Sequence, residues 1–155
     1  MKEDFMKEAI RLSLENMQKN AWWPFGAVIV KDGKIVGKGR NQVTSSNDPT
    51  AHGEVVAIRD ACKNLWTFDL QGCEIYTSCE PCPMCYWAIS RSRIQKIYYG
   101  NTGKDAADIW FDDSAFQEDI KKVFTQRVIP VEQIMHNEAL EVFKAWTAKQ
   151  DKITY

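Results

Sequence analysis

Residues 73–91 read Cys73-Glu74-Ile75-Tyr76-Thr77-Ser78-Cys79-Glu80-Pro81-Cys82-Pro83-Met84-Cys85-Tyr86-Trp87-Ala88-Ile89-Ser90-Arg91. Within and just beyond this stretch, residues 73–78 carry a strand pattern, residues 83–91 a helix pattern and residues 94–99 a second short strand. Strands separated by a helix-length segment suggest a parallel crossover, the unit of a layered α/β domain.

The flanking chain extends that reading. Upstream, residues 25–40 hold two short runs rich in Val, Ile and Gly on either side of Asp32-Gly33, a dipeptide suited to a two-residue hairpin turn. Asp48, Pro49 and Thr50 offer helix-start chemistry, and Val55, Val56, Ile58, Ala61, Cys62 and Leu65 give residues 51–64 the apolar face of a helix. Phe5, Ala9, Leu12 and Met17, with Met6 and Ile10 beside them, make residues 2–19 an amphipathic helix. Downstream, residues 105–111 and 115–123 are expected helices with Asp112-Asp113-Ser114 between them. Residues 127–133 suit a strand or a docked extended segment, and residues 138–149 a helix with Leu140, Phe143 and Trp146 on one side. The sum is a hairpin, two further strands and several helices.

Composition narrows the function classes. The chain of 155 residues suits one domain, and 45% hydrophobic with 26% charged residues is a globular balance. Twenty basic against 21 acidic residues, a net charge of -1, argue against a protein that holds long nucleic acid through its phosphates. No apolar run approaches the roughly 20 residues of a membrane span. The start mixes Lys2, Glu3 and Asp4 rather than forming a signal peptide, so a cytoplasmic location is expected. Cysteines 62, 73, 79, 82 and 85 are odd in number and crowded, which in a reducing compartment points to metal ligands or catalytic thiols.

The chemistry concentrates in two clusters. His52-Gly53-Glu54 stands at the start of an expected helix, and Pro81-Cys82-Pro83-Met84-Cys85 in the turn from a strand into the next helix. Two thiolates in C-x-x-C spacing plus an imidazole match zinc, and three protein ligands leave one tetrahedral position open to water. Glu54 is too near His52 in sequence to be a comfortable second ligand. It is near enough to hydrogen-bond that water, take its proton and hand it to a leaving group. The rival arrangement is a closed site that enlists Cys79, which forms a second C-x-x-C with Cys82; such a site would serve a non-catalytic zinc module for protein contacts. Three cysteines in successive steps of three residues do not easily all face one ion as the chain enters a helix. Cys79 therefore reads as a packed neighbour, with Cys62 and Cys73 in the core.

The order H-x-E then P-C-x-x-C is the signature of zinc-dependent nucleobase deaminases. The chain resembles the cytidine-deaminase-like superfamily, and within it the small bacterial guanine deaminases. The likeness runs through residues 24–30, 41–54 and 77–85, then Asp105-Ala106-Ala107, Phe111-Asp112-Asp113-Ser114 and the terminal Tyr155. It implies a three-layer α/β/α fold with a central mixed sheet. It also implies one zinc ion per subunit on His52, Cys82 and Cys85, with Glu54 as the proton shuttle. By position, Asn41 would hydrogen-bond the base and Phe25 would line the pocket. Asp113 would contact the amino end of a purine and help move protons, and backbone groups of Ala51 and the Cys82 region would touch substrate, as would Tyr155. The C-terminal segment, about residues 110–155, would cross to a neighbouring subunit in a domain-swapped homodimer.

Bland roles stand beside these. Phe25 could be ordinary core, Asn41 could close the second hairpin strand, and Asp112 or Asp113 could cap a helix. Trp22 and Trp23 stand where relatives carry glycines, Gly53 where Ala is common, and Ser90-Arg91 where the guanine deaminases carry aromatics. The leading expectation is hydrolysis of guanine to xanthine and ammonia by a homodimer acting on a small-molecule nucleobase. The alternatives are an adenosine deaminase acting on tRNA and a deaminase of another amino-heterocycle or nucleoside.

Overall fold

Asp32 and Gly33 both adopt positive φ, 49° and 72°, the pair of left-handed positions a tight two-residue hairpin needs, and Lys31 pairs with Lys34 across them. The computed structural model describes residues 1–18 and 23–153. In it the hairpin of β1 (Gly26–Lys31) and β2 (Lys34–Arg40) joins β3 (Cys73–Cys79) and β4 (Lys96–Asn101) in one sheet of order β2-β1-β3-β4. β1 runs antiparallel to both its neighbours, while β3 and β4 are parallel, so the sheet is mixed. The helices are α1 (Lys2–Gln18), α2 (Val43–Ser46), α3 (Gly53–Leu65), α4 (Pro83–Arg91), α5 (Gly103–Ala107), α6 (Ser114–Ile120) and α7 (His136–Ala148). Helix α4 supplies the right length of chain for the β3-to-β4 crossover anticipated from residues 73–99.

Alternation along the strands builds the layers. Val28, Val30 and Tyr76 face Leu12 of α1, with Phe5 and Met6 packed alongside. Ala27, Ile29, Cys73 and Ile75 face the other way, onto Ala57 and Ala61 of α3 and Ile89 of α4. Helices therefore cover both faces of the sheet. The approach of α3 is close: a Cβ at Gly39 would lie 2.0 Å from the Gly53 carbonyl oxygen and 2.4 Å from the Ala57 nitrogen. Only a residue without a side chain lets β2 and the start of α3 meet there.

The chain forms two compact units, one ending at Ser114 and one beginning at Ala115. In the second, none of the described residues is buried, and Phe116, Phe124, Phe143 and Trp146 are exposed. Residues 127–133 form no strand; the preceding Phe124–Gln126 make a single 3₁₀ turn. The helix expected over 105–111 instead starts at Gly103 and ends at Ala107. A capping box between Thr102 and Asp105 starts it, and Trp110 takes a left-handed φ of 76° just past its end. The buried stripe of α1 also departs from expectation: it is Ala9, Leu12 and Asn16, while Ile10 and Met17 are about half exposed. Among the described residues no helix is long and apolar enough to cross a membrane.

Candidate metal and active site

Two helix starts converge at the carboxyl end of β3 and the open end of the β1–β2 hairpin. His52 is the N-cap residue of α3, yet its side chain caps nothing there; Cys82 is the N-cap residue of α4, with Pro83 as the first helical residue. Asp48 orders the approach to His52 by accepting from the Thr50 amide and hydroxyl, at 2.8 and 2.6 Å, and the His52 amide donates to the Thr50 carbonyl at 2.8 Å. These bonds turn the chain so that the helix begins at Gly53, not at residue 51, and the imidazole is released toward the sulfurs. His52 Nδ1 lies 3.6 Å from Cys82 Sγ and 3.5 Å from Cys85 Sγ.

Those spacings suit a shared ion. Nitrogen at about 2.05 Å and sulfur at about 2.3 Å around a tetrahedral centre stand about 3.6 Å apart. His52, Cys82 and Cys85 also form the one cluster of three His, Cys or acidic side chains suited to a metal among the described residues. The donor chemistry, one imidazole and two thiols, is that of zinc. Cys79 is not part of it: buried, its Sγ points to the Thr102 carbonyl at 3.7 Å. Cys73 is fully buried in the core and Cys62 packs against it, so the three remaining cysteines are placed as their sequence positions suggested.

Glu54 is buried within the first turn of α3. Its Oε1 accepts from Thr77 Oγ1 of β3 at 3.3 Å, and its Oε2 accepts from Cys85 Sγ at 3.4 Å. Burial raises this carboxyl above the ordinary carboxylate value. The Cys82 sulfur is held well below the usual thiol range by the Cys85 thiol and the His52 imidazole, and Cys85 is pushed up in return. His52 is raised by the Cys82 sulfur it faces. A backbone amide adds to this polarisation, since the Cys85 N–H donates to Cys82 Sγ at 3.5 Å.

The expected pocket residues fall into place unevenly. Phe25 is half-buried and meets Phe111 edge-on, ring centres 5.0 Å apart. Phe111 in turn meets Trp23 at 5.3 Å, and Trp23 stands 6.3 Å from the His52 ring, so three aromatics form a wall leading to the cluster. Asn41 is almost fully buried. Its Oδ1 accepts from the Val43 amide at 3.1 Å in the turn into α2, but its Nδ2 has no hydrogen-bond partner among the described residues. Asp112 accepts from the amide of Ser114, the first residue of α6, at 2.9 Å. Asp113 is half-buried; partial burial and the nearby Cys82 charge raise its carboxyl. Ala51 has its N–H committed to the Asp48 carbonyl at 3.1 Å, and its carbonyl already accepts from the Gln42 amide at 2.8 Å. Tyr155 and Trp22 lie outside the described residues.

Two polar residues escaped the sequence reading. Thr77 supports Glu54 from inside a strand otherwise buried with the core, and Asn16 donates to two backbone carbonyls at the hairpin's open end. The available signal was their position: each is a polar residue in a buried, apolar register, where an unpaired polar group is costly.

The family model for the cytidine and deoxycytidylate deaminase zinc-binding region matches residues 1–101. A guanine deaminase from Bacillus subtilis is 48% identical over 153 residues, covering 99% of this chain and 98% of that protein. A tRNA-specific adenosine deaminase from Aquifex aeolicus is 45% identical over 103 residues, covering 66% of this chain and 68% of that protein. In structure, the B. subtilis guanine deaminase matches with a TM-score of 0.95 over 99% of this chain and 98% of that one. A guanine deaminase from Nitrosomonas europaea matches with a TM-score of 0.67 at 28% identity, covering 70% of this chain and 63% of that one. With the His52, Cys82 and Cys85 cluster and the buried Glu54 all lying inside the matched residues 1–101, this chain belongs to the cytidine and deoxycytidylate deaminase zinc-binding family.

Proposed function

We propose that this protein is a zinc-dependent aminohydrolase that converts guanine to xanthine and ammonia. The observation that carries the choice of base is the extent of the likeness: the guanine deaminase match runs through both units of the chain, whereas the tRNA-specific adenosine deaminase match spans two thirds of it.

His52, Cys82 and Cys85 would hold the zinc ion, whose Lewis acidity would make water a nucleophile near neutral pH. The remaining work falls to side chains. Glu54, buried beside Cys85, takes a proton as a water oxygen adds to the ring carbon that bears the amino group. It returns a proton to that nitrogen as the carbon–nitrogen bond breaks and ammonia leaves. Burial suits it to hold the proton between the two events. Asn41 Nδ2, buried and unpartnered among the described residues, is the donor for an acceptor atom on the base edge, and Phe25 supplies an apolar wall to its ring. Asp113 addresses the amino end. The Ala51 carbonyl and the Cys82 backbone are the main-chain contacts, and Tyr155 is a further substrate-binding residue of the proposal.

The subunit arrangement is part of the proposal. The exposed apolar side chains of residues 115–153 need a surface to bury them, and a second copy of this chain offers one in a homodimer that exchanges its C-terminal segments. Five free cysteines support a cytoplasmic, reducing location. The test is a panel of guanine, guanosine, adenine, cytosine, cytidine and an anticodon stem-loop, followed for ammonia release by zinc-loaded protein. Turnover of guanine above all others is expected. Turnover of the stem-loop alone, weakening with added salt, would move the assignment to the tRNA branch.

A further inference from the structure

Helix α1 carries none of the residues assigned above, yet its C-terminal half touches the backbone on both sides of the candidate pocket. Asn16 has no exposed surface. Its Nδ2 donates to the Trp23 carbonyl at 2.7 Å and to the Asn41 carbonyl at 2.9 Å. One turn earlier, Ser13 Oγ donates to the Pro24 carbonyl at 2.6 Å. Trp23 enters β1 and Asn41 leaves β2, so a single amide ties together the two chain ends at the hairpin's mouth. Those ends carry Trp23 and Phe25 on one side and Asn41 on the other.

Residue chemistry makes the assignment specific. Two carbonyls at one point need a group that donates twice from one atom, which an amide nitrogen does and a carboxylate, hydroxyl or methyl cannot. Packing alone would favour leucine at this register, since Ala9 and Leu12 occupy the same buried stripe. We infer that Asn16 is a positioning residue for substrate. It fixes the spacing between the aromatic wall and the Asn41 amide, and so sets how well a flat base is held, without touching the base itself. The inference rests on the guanine deaminase reading for its kinetic consequence and on the two hydrogen bonds alone for its structural one.

Asn16→Ala removes both bonds. Amide hydrogen exchange of the whole zinc-loaded protein should then rise at Asn41, whose N–H donates across the mouth to the Phe25 carbonyl at 2.9 Å, and at Phe25, whose N–H donates to the Trp23 carbonyl at 2.9 Å. Unchanged exchange at both overturns the clamp whatever the substrate is. In steady state, KM for guanine should rise about tenfold, the scale of lost hydrogen bonds to buried partners, with kcat within about threefold and zinc content unaltered. In a double-mutant cycle with Asn41→Ala the two effects on KM should fall well short of additive. Additive effects, or a loss confined to kcat, would overturn the positioning role. Should Asn16→Ala fail to fold, Ser13→Ala carries the test on the same segment, with KM raised about threefold expected and an unchanged KM contradicting it. Absence of guanine turnover by the wild type would instead overturn the functional reading, leaving the exchange result to decide the clamp.

Discussion

At the scale of single residues, the distribution of roles follows from what each side chain can donate or hold. Glu54→Gln keeps the shape of the buried group and an acceptor for Thr77, but an amide cannot carry a proton between water and a leaving nitrogen. Turnover by this variant should fall by at least about a hundredfold while zinc content and melting temperature stay near the wild type. Undiminished turnover would remove Glu54 from the proton path. Cys85→Ser replaces a soft donor with a hydroxyl, and zinc retained after dialysis should drop below one ion per chain; full retention would contradict the ligand assignment. The cluster of His52, Cys82 and Cys85 with Glu54 beside it was legible because these residue types and spacings are rare together. Asn16 and Thr77 were not, because their partners are a pair of distant carbonyls and a distant carboxylate that only the folded chain brings near.

Elements fix where those residues stand. The start of α3 lies on the β2 backbone at Gly39, beside Gly53, so the spacing between His52 and Glu54 depends on that contact. Gly39→Ala would force the two apart and should cost about 3 kcal/mol of stability, read as a lower urea midpoint, together with weaker zinc affinity. A variant with wild-type midpoint and affinity would mean that α3 is free to shift. Helix α1 is tied to the sheet's edge by Glu8, which bonds Arg11 at 2.7 Å and Lys38 of β2 at 2.6 Å, while Arg11 also meets Glu15. Arg11 and then Lys38 hold the Glu8 carboxyl down, from the ordinary 4.5 to about 2. A depressed carboxyl adds stability above its unfolded pKa and loses it as pH falls through the folded one. Stability should therefore decline between pH 4.5 and about 2, and Glu8→Gln should flatten that part of the curve. An equal acid slope in the variant would show that other carboxylates set it. The Asp32-Gly33 turn and helix α4 could be read from local chemistry alone. The buried face of α1 could not, since periodicity counted Met17 and passed over the polar Asn16 that is actually enclosed.

For the molecule as a whole, the layered sheet was legible because strands and helices alternate with strong patterns from residue 25 to residue 101. The second unit was less so. Its apolar residues follow helical spacing, but no described residue there is buried, so the pattern alone names no partner. If the C-terminal segments are exchanged, each pocket draws on two chains. Glu54→Ala and Tyr155→Ala chains, each inactive alone, should then regain about a quarter of wild-type turnover when unfolded and refolded together, since half of the random dimers hold one complete pocket. No recovery, or a monomer by sedimentation, would contradict the exchange.

The number of protein atoms that hold the metal separates a catalytic site from a structural one. X-ray absorption at the zinc edge of the loaded protein should show two sulfurs at about 2.3 Å, one imidazole nitrogen at about 2.0 Å and one further light atom that exchanges with solvent or inhibitor. A third sulfur in that shell, or no zinc retained at all, would contradict a catalytic site and leave a structural metal site or none.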